Sequence, residues 1–203
     1  MDKIHKPVLL KESLESLNIN PDGFYVDCTL GDGGHSSEIS SKLSPNGLLL
    51  SIDQDQYAID FVKEYYKGDI QENWIIKRSN FRKIDELVSQ LNRKPDGILL
   101  DLGLSSRQLE LSHDRGFSYL EEAEPLDMRM NQDLGVTAKD LLNALSERQL
   151  TNLFREYGEE KFAHRIAKEI KKAENPLETV GDLTRLIYKA SPADNSNKNP
   201  SRR

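Results

Sequence analysis

A glycine-rich turn is the segment of this sequence best suited to hold a ligand. Residues 27–36 read DCTLGDGGHS, with glycines at positions 31, 33 and 34. Glycine tolerates positive φ angles and lets the backbone come close to a ligand, so main-chain N–H groups at the start of a following helix become available for binding. The turn therefore predicts a nucleotide-type site.

Carboxylates stand at the ends of three short apolar runs. Asp27 begins the turn, Asp53 follows it by about 20 residues, and Asp101 ends a later run. If the runs are parallel strands, these acids should converge on one crevice, where Asp53 can accept both ribose hydroxyls of a nucleoside. Each Asp also has a structural interpretation as the cap of the next helix.

Two nucleotide cofactors compete for such a turn. Dinucleotides favour Gly-x-Gly-x-x-Gly, but the last position of that pattern is Ser36 in this sequence. Asp27 and Asp32 suit the positive charge of a sulfonium nucleoside better than they suit a pyrophosphate. We therefore expect S-adenosyl-L-methionine, and an NAD-dependent oxidoreductase is the alternative.

The first half of the chain alternates between strand and helix signals. Four apolar runs, at 24–26, 48–52, 74–76 and 98–100, are bounded by turn or charged residues and separated by segments of helical period. This alternation predicts an α/β fold, a doubly wound Rossmann-like sheet with its site at the carboxyl ends of the strands.

The second half reads as an all-helical module. Capping pairs precede three of its apolar stripes: Thr137 with Asp140, Ser146 with Gln149, and Thr179 with Asp182. We expect the stripes to be core contacts: Leu141, Leu142 and Leu145; Leu150, Leu153, Phe154 and Tyr157; Phe162, Ile166 and Ile170. The predicted domains are 1–132 for cofactor binding, 133–190 for the helical module, and 191–203 as a polar C-terminal segment.

Composition narrows the function classes. The formal charge of −6 disfavours broad nucleic-acid binding, so any contact with nucleic acid must be local. One candidate is a basic segment made of Lys161, His164, Arg165, Lys168, Lys171 and Lys172. The alternative interpretation is a solvated helix face. The single cysteine, Cys28, reads as a buried core residue, and no Cys/His spacing predicts a metal site. No apolar run is long enough for a membrane span and no signal peptide is evident, which predicts a cytoplasmic protein.

Six longer motifs resemble one protein family. They are HKPVLLKE (5–12), DCTLGDGGHS (27–36), DGILLDLGLSSRQL (96–109), RGFSY (115–119), PLDMRM (125–130) and YGEEKFAHRIAKEI (157–170). In this order they resemble the MraW family of bacterial 16S rRNA cytosine-N4 methyltransferases. The resemblance implies methylation of the exocyclic amine of a cytidine in the decoding centre, with 16S rRNA or the small ribosomal subunit as the partner.

The resemblance also assigns cofactor contacts. They fall on Gly33, Gly34, His35, Asp53, Phe81, Asp101 and Gln108. For Phe81 the residue pattern offers a rival interpretation, because this ring also starts an apolar helical stripe and would fit a core. His35 and Gln108 are assigned by resemblance alone. Asp101, or the carbonyls of 102–105, is the candidate hydrogen-bond acceptor for the cytosine amine.

The family's sequences continue past the position that corresponds to Arg203. We therefore expect an incomplete sheet, with an open edge at the strand of residues 98–100 and poor stability of this chain alone. An inactive fragment of the enzyme is the alternative function that this expectation leaves open.

Overall fold

The computed structural model describes residues 7–111 and 114–191. Their contacts divide the chain into two compact units, Met1–Arg107 and Gln108–Arg203. The first unit contains α1 (Leu10–Leu17), β1 (Phe24–Asp27), α2 (Gly34–Lys42), β2 (Leu48–Asp53), α3 (Gln56–Tyr65), β3 (Trp74–Arg78), a 3-10 turn (Phe81–Lys83), α4 (Ile84–Ser89) and β4 (Gly97–Leu99). The short helix α5 (Ser106–Glu110) includes the point of division.

The four strands of the first unit form one parallel sheet in the order β3-β2-β1-β4. This order begins the doubly wound arrangement 3-2-1-4, so the predicted α/β class is confirmed. The order reverses between β1 and β4. Ligands of open α/β sheets bind outside the carboxyl ends of the strands at such a reversal.

Both faces of the sheet are covered by helices. One face carries Tyr25, Leu49 and Trp74, which pack with Ile39 of α2 and with Ile59 and Val62 of α3. The other face carries Phe24, Val26, Cys28, Leu50 and Ile52, which pack against apolar residues of α4. Burial on both faces explains why the central strands are apolar throughout rather than alternating. It also confirms Cys28 as a core residue.

In the described chain β4 is paired on one side only, with β1. Ile98 and Leu100 are about half exposed, at 45% and 48%. The predicted open edge is therefore observed at this strand, and it presents apolar side chains.

The second unit is built from helices. They are α6 (Ala138–Ala144), α7 (Glu147–Gly158), α8 (Ala163–Lys172) and α9 (Val180–Ala190). All three predicted capping boxes form, at the starts of α6, α7 and α9. The core contains Leu142, Leu150, Ile166 and Ile170, as the stripes predict.

An irregular segment before α6 also belongs to this unit. Leu126 is in the helical core, and its backbone N–H donates to Glu178 O at 3.0 Å. Pro125 forms an isolated bridge with Thr179, and a Cβ on Gly116 would lie 2.4 Å from Pro125 O. The RGFSY and PLDMRM motifs therefore pack together. The domain division after residue 132 stays a prediction.

Two residues of the predicted stripes are exposed. Leu141 is 42% exposed and Tyr157 is 80% exposed. The short helix α6 buries Leu142 instead, and Tyr157 lies on the last turn of α7, beyond the part of that helix that enters the core. The prediction for these two side chains is wrong because helical period alone does not show where packing along a helix ends.

Within the described ranges, none of the helices combines the length and the apolar character that a bilayer span requires.

The difference in burial between Leu141 of α6 and Leu150 of α7 gives a stability test. Leu150 is only 1% exposed, so Leu150→Ala should lower the free energy of unfolding by about 2–5 kcal/mol through lost burial and a cavity. Leu141→Ala removes the same atoms from a half-exposed site and should cost less than about 1 kcal/mol. Urea unfolding of both variants measures the difference, and equal losses would contradict the packing described for this unit.

Candidate cofactor site

The glycine turn between β1 and α2 needs glycine at each of its three positions. Gly31 and Gly33 have φ angles of 50° and 82°, in the left-handed region. A Cβ on Gly34 would lie 2.3 Å from Cγ of Pro7. The N-terminal motif thus packs its proline directly on the turn; His5 and Lys6 of the same motif lie outside the described residues.

Asp53 at the end of β2 is bonded to this turn. Its Oδ2 accepts from the backbone N–H of Gly31 at 2.9 Å, and its Oδ1 accepts from the backbone N–H of Asp55 at 2.9 Å. Burial raises the pKa of the Asp53 carboxyl, against the lowering effect of these two bonds. Each carboxylate oxygen retains a lone pair for a ligand hydroxyl. The structure therefore brings Asp53 and the turn together, as the sequence predicts.

Asp27 does not face a crevice, which corrects the prediction of three converging carboxylates. Its side chain is fully buried, with 0% exposure. Oδ1 accepts from the backbone N–H of Thr29 at 3.0 Å, and Oδ2 accepts from the hydroxyl of Ser36 at 2.6 Å. The Ser36 hydroxyl also lies 2.7 Å from that of Ser51, which in turn accepts from the indole N–H of Trp74. Asp27 is thus the end of an internal chain of polar groups.

Thr29 connects this buried network to the end of β4. Its hydroxyl oxygen accepts from the backbone N–H of Asp101 at 2.8 Å. The Asp101 side chain is 54% exposed, and its Oδ2 lies 4.0 Å from Nδ1 of His35. The carboxyl of Asp101 is therefore available to solvent or substrate beside the turn. Sequence reasoning missed Thr29, because a single threonine after a strand carries no pattern.

His35 is buried at the start of α2. Its Nε2 atom has no hydrogen-bond partner among the described residues. A buried ring nitrogen without a partner costs free energy, and a polar ligand atom would remove that cost. The family-based assignment of His35 has this geometric support.

Arg107, which sequence reasoning also missed, lies beside the turn. The Arg107 guanidinium is 3.7 Å above the centre of the Phe61 ring, and its Nε lies 3.6 Å from Oδ1 of Asp32. Asp32 is therefore accompanied by a cation. With Asp27 buried and Asp32 paired, the argument that these two acids favour a sulfonium over a pyrophosphate is not supported by the geometry.

Phe81 and Gln108 remain predicted contacts. Phe81 follows β3 in the 3-10 turn, is partly exposed, and is absent from the core clusters, so its rival assignment to the core is wrong. Near it, the N–H of Ser79 donates to Asp53 O at 2.8 Å, which places this turn beside the end of β2. Gln108 begins the second unit on α5, where its Nε2 lies 3.2 Å from Sδ of Met130.

Cys28 takes no part in this chemistry. Burial, with a smaller contribution from neighbouring Asp27, raises the pKa of its thiol to about 11. At neutral pH the group is a thiol and not a nucleophilic thiolate. No cluster of three metal-ligating side chains occurs within residues 7–111 and 114–191.

The residues at the carboxyl edge of the sheet suit a nucleoside. The turn provides backbone N–H groups at glycine positions where a side chain would clash with neighbouring residues. Asp53 provides carboxylate oxygens, and His35 provides a ring nitrogen without a hydrogen-bond partner among the described residues. Such a set can hold a ribose by its hydroxyls and a small polar group by backbone N–H groups. The fold and these groups define an α/β protein with the features of a nucleoside-binding site.

The sequence matches the MraW methylase family over residues 2–203, and the chain belongs to this family. It is 50% identical over 196 residues to the ribosomal RNA small subunit methyltransferase H of Clostridium botulinum strain Loch Maree / Type A3. The same identity and length are found with the protein of that name from strain Kyoto / Type A2. Each alignment covers 95% of this chain and 62% of the relative, so the chain spans less than two thirds of their length.

Likeness to solved structures is partial. The structure of an rRNA methylase from Streptococcus thermophilus aligns with 42% of this chain, and the alignment covers 50% of the methylase chain. The sequence identity is 16% and the TM-score is 0.34. A likeness of this size carries no argument about function. Membership of this methylase family assigns S-adenosyl-L-methionine as the cofactor.

The buried carboxyl of Asp27 yields a pH test. Burial raises its folded-state pKa above the unfolded value of 3.8, so stability from this group is complete below that pH and is lost as pH rises through the folded pKa. Asn at this position does not titrate. The difference in free energy of unfolding, native protein minus Asp27→Asn, should therefore decrease as pH rises from about 4 towards neutrality.

Urea unfolding at a series of pH values measures this difference. Changed hydrogen bonds in the Asn variant add an offset, so only the slope is diagnostic; the Asp27 charge also raises the pKa of Asp53, and its removal changes the slope in the same direction. A difference that is constant, or that grows with pH, would contradict the buried position of Asp27.

Proposed function

We propose that this chain takes part in S-adenosylmethionine-dependent methylation of small-subunit ribosomal RNA, at the N4 amine of a cytidine in the decoding centre of 16S rRNA. One observation carries the proposal: 50% identity over 95% of the chain to proteins named ribosomal RNA small subunit methyltransferase H. The choice of N4 and of the decoding centre rests on the motif resemblance. A cytoplasmic location is part of the same proposal.

The site geometry supports some of the proposed cofactor contacts, and the family pattern supplies the others. Asp53 would accept hydrogen bonds from the ribose hydroxyls, and the backbone of Gly33 and Gly34 would hold the amino-acid part of the cofactor. His35 supplies its unpaired Nε2 to a polar atom, while Phe81 and Gln108 complete the contacts that the family pattern assigns. When bound, S-adenosylmethionine supplies an electrophilic methyl group on a positively charged sulfur.

Asp101 has the position of a proton acceptor. Its backbone is fixed by the hydroxyl of Thr29, while its carboxylate is exposed beside His35. In the proposed reaction, the carboxylate accepts a hydrogen bond from the cytosine amine, orients the nitrogen for in-line attack, and receives the proton that the amine loses. The buried thiol of Cys28 is not needed, because methylation of an amine requires no covalent enzyme adduct.

Asp101→Asn tests this role. The substitution keeps the size of the side chain and removes the proton-accepting charge, so the single-turnover rate on small ribosomal subunits should fall by about 10²-fold or more. Affinity for S-adenosylmethionine, measured by calorimetry, should change much less. Asp69→Asn, at an exposed position after α3, is the matched control and should keep the native rate.

An unchanged rate together with unchanged cofactor affinity in Asp101→Asn would reject Asp101 as the acceptor. The same assay with the native chain distinguishes an active methyltransferase from a noncatalytic part of one. Methyl transfer supports the enzyme, whereas cofactor binding without any transfer would identify this chain, which spans 62% of its relatives, as a noncatalytic part.

A further inference from the structure

Several cations of residues 114–191 are paired with carboxylates of the same unit. Five form ion pairs with carboxylates: Arg129 with Asp127, Lys139 with Glu178, Lys172 and Lys189 with Glu169, and Arg185 with Asp182. Lys171 donates to the carbonyls of Leu142 and Asn143 at the end of α6. His164 lies 3.5 Å from Glu147. Half of the basic segment recognised in the sequence, namely His164, Lys171 and Lys172, is thus committed to the fold.

Five exposed cations have no ion pair or hydrogen bond among the described residues. They are Arg148, Arg155, Lys161, Arg165 and Lys168. All five lie on α7, on α8 or in the connection between them, and these helices pack on a shared core through Leu150 and Ile166. Within residues 114–191, exposed cations that lack an ion pair or a hydrogen bond are therefore concentrated in this segment, which also carries the exposed acids Glu156 and Glu159. We call these five residues the α7–α8 cationic surface.

The α8 part of this surface has one sign of charge. Ala163, Ile166, Ala167 and Ile170 are buried and face the core. The exposed positions of the helix are His164, Arg165, Lys168 and Lys172, all of them basic. Glu169 is the one acid of α8, and it is already bonded to Lys172 and Lys189. The outward face of α8 thus presents cations without intervening carboxylates.

Tyr157 adds an aromatic ring next to these cations in the chain. It is 80% exposed on the last turn of α7, between Arg155 and Lys161 in sequence. A ring so exposed gains little from burial, but it offers a face on which an unpaired base can stack. Cations together with an open aromatic ring are the combination used to bind single-stranded nucleic acid.

We propose that the α7–α8 cationic surface, with Tyr157, binds the phosphate backbone and an unpaired base of the rRNA substrate. The inference rests on the proposed function and names the part of the chain that holds its substrate. The net charge of −6 makes the chain as a whole repel RNA, so attraction must come from a local patch of this kind. Cations that are paired within the fold cannot release counterions from phosphate to the same extent.

The salt dependence of RNA binding tests the cations. Each lost phosphate contact should lower the slope of log K against log salt by about 0.7–0.9. Arg165→Gln with Lys168→Gln should therefore lower the slope by about 1.5 and weaken binding to a small-subunit rRNA fragment by more than about tenfold at about 0.1 M salt. Lys139→Gln with Arg185→Gln is the matched control, since it removes equal charge from cations that are already paired.

The control should keep both the affinity and the slope within experimental error, and both double variants should bind S-adenosylmethionine like the native chain. Equal losses in the two variants would show that only net charge matters and would overturn the proposal. An unchanged slope in Arg165→Gln with Lys168→Gln would also overturn it.

Tyr157 is tested separately. Tyr157→Ala should weaken binding of single-stranded rRNA by about fivefold or more while the salt slope stays the same, because stacking involves no counterion release. Tyr157→Phe retains the ring and should restore the affinity. Failure of the Phe variant to restore binding would remove stacking from the proposal.

Two outcomes distinguish this proposal from the proposed function. Methylation by the native chain with a normal slope in the Arg165 and Lys168 variant would reject the surface alone. RNA binding that depends on the surface, without methylation by the native chain, would reject the activity alone. Loss of binding to assembled subunits but not to naked rRNA would assign the surface to a protein partner and overturn the inference.

Discussion

The buried carboxyl of Asp27 is the interaction on which the site depends. It bonds the start of the glycine turn through Thr29 and the first turn of α2 through Ser36. From Ser36 the network continues through Ser51 to Trp74, so it crosses three neighbouring strands. A polar network inside a packed sheet holds only if its members are satisfied together, which fixes the geometry of the groups around it.

The candidate cofactor contacts Asp53 and Asp101 lie next to this network and are not part of it. The Thr29 hydroxyl accepts a hydrogen bond from the backbone N–H of Asp101 and so fixes the position of that backbone. Asp53, on the neighbouring strand, accepts a hydrogen bond from the turn. Pro7 packs against Gly34 of the same turn, and Arg107 forms an ion pair with Asp32. The flexible glycines are thereby restrained from several directions, as a site for a small cofactor requires.

The sequence predicts the sheet well because strand burial on both faces leaves continuous apolar runs, and it predicts helix starts because capping boxes are local. It fails where long-range contacts decide. Asp27 and Asp53 both end strands and both bond the turn, yet Asp27 is fully buried and Asp53 is only partly buried, a difference that depends on tertiary packing. Tyr157 continues a stripe that has already left the core, and Arg107 meets partners far away in sequence.

Calorimetric titration of the chain with S-adenosylmethionine, and separately with NAD⁺, tests the central claim most directly. The account predicts saturable binding of S-adenosylmethionine at one site and no measurable binding of NAD⁺, since the turn has Ser36 where dinucleotide sites have glycine. Binding of NAD⁺ without S-adenosylmethionine, or binding of neither, would contradict the assignment of the glycine turn and Asp53 to the methyl donor.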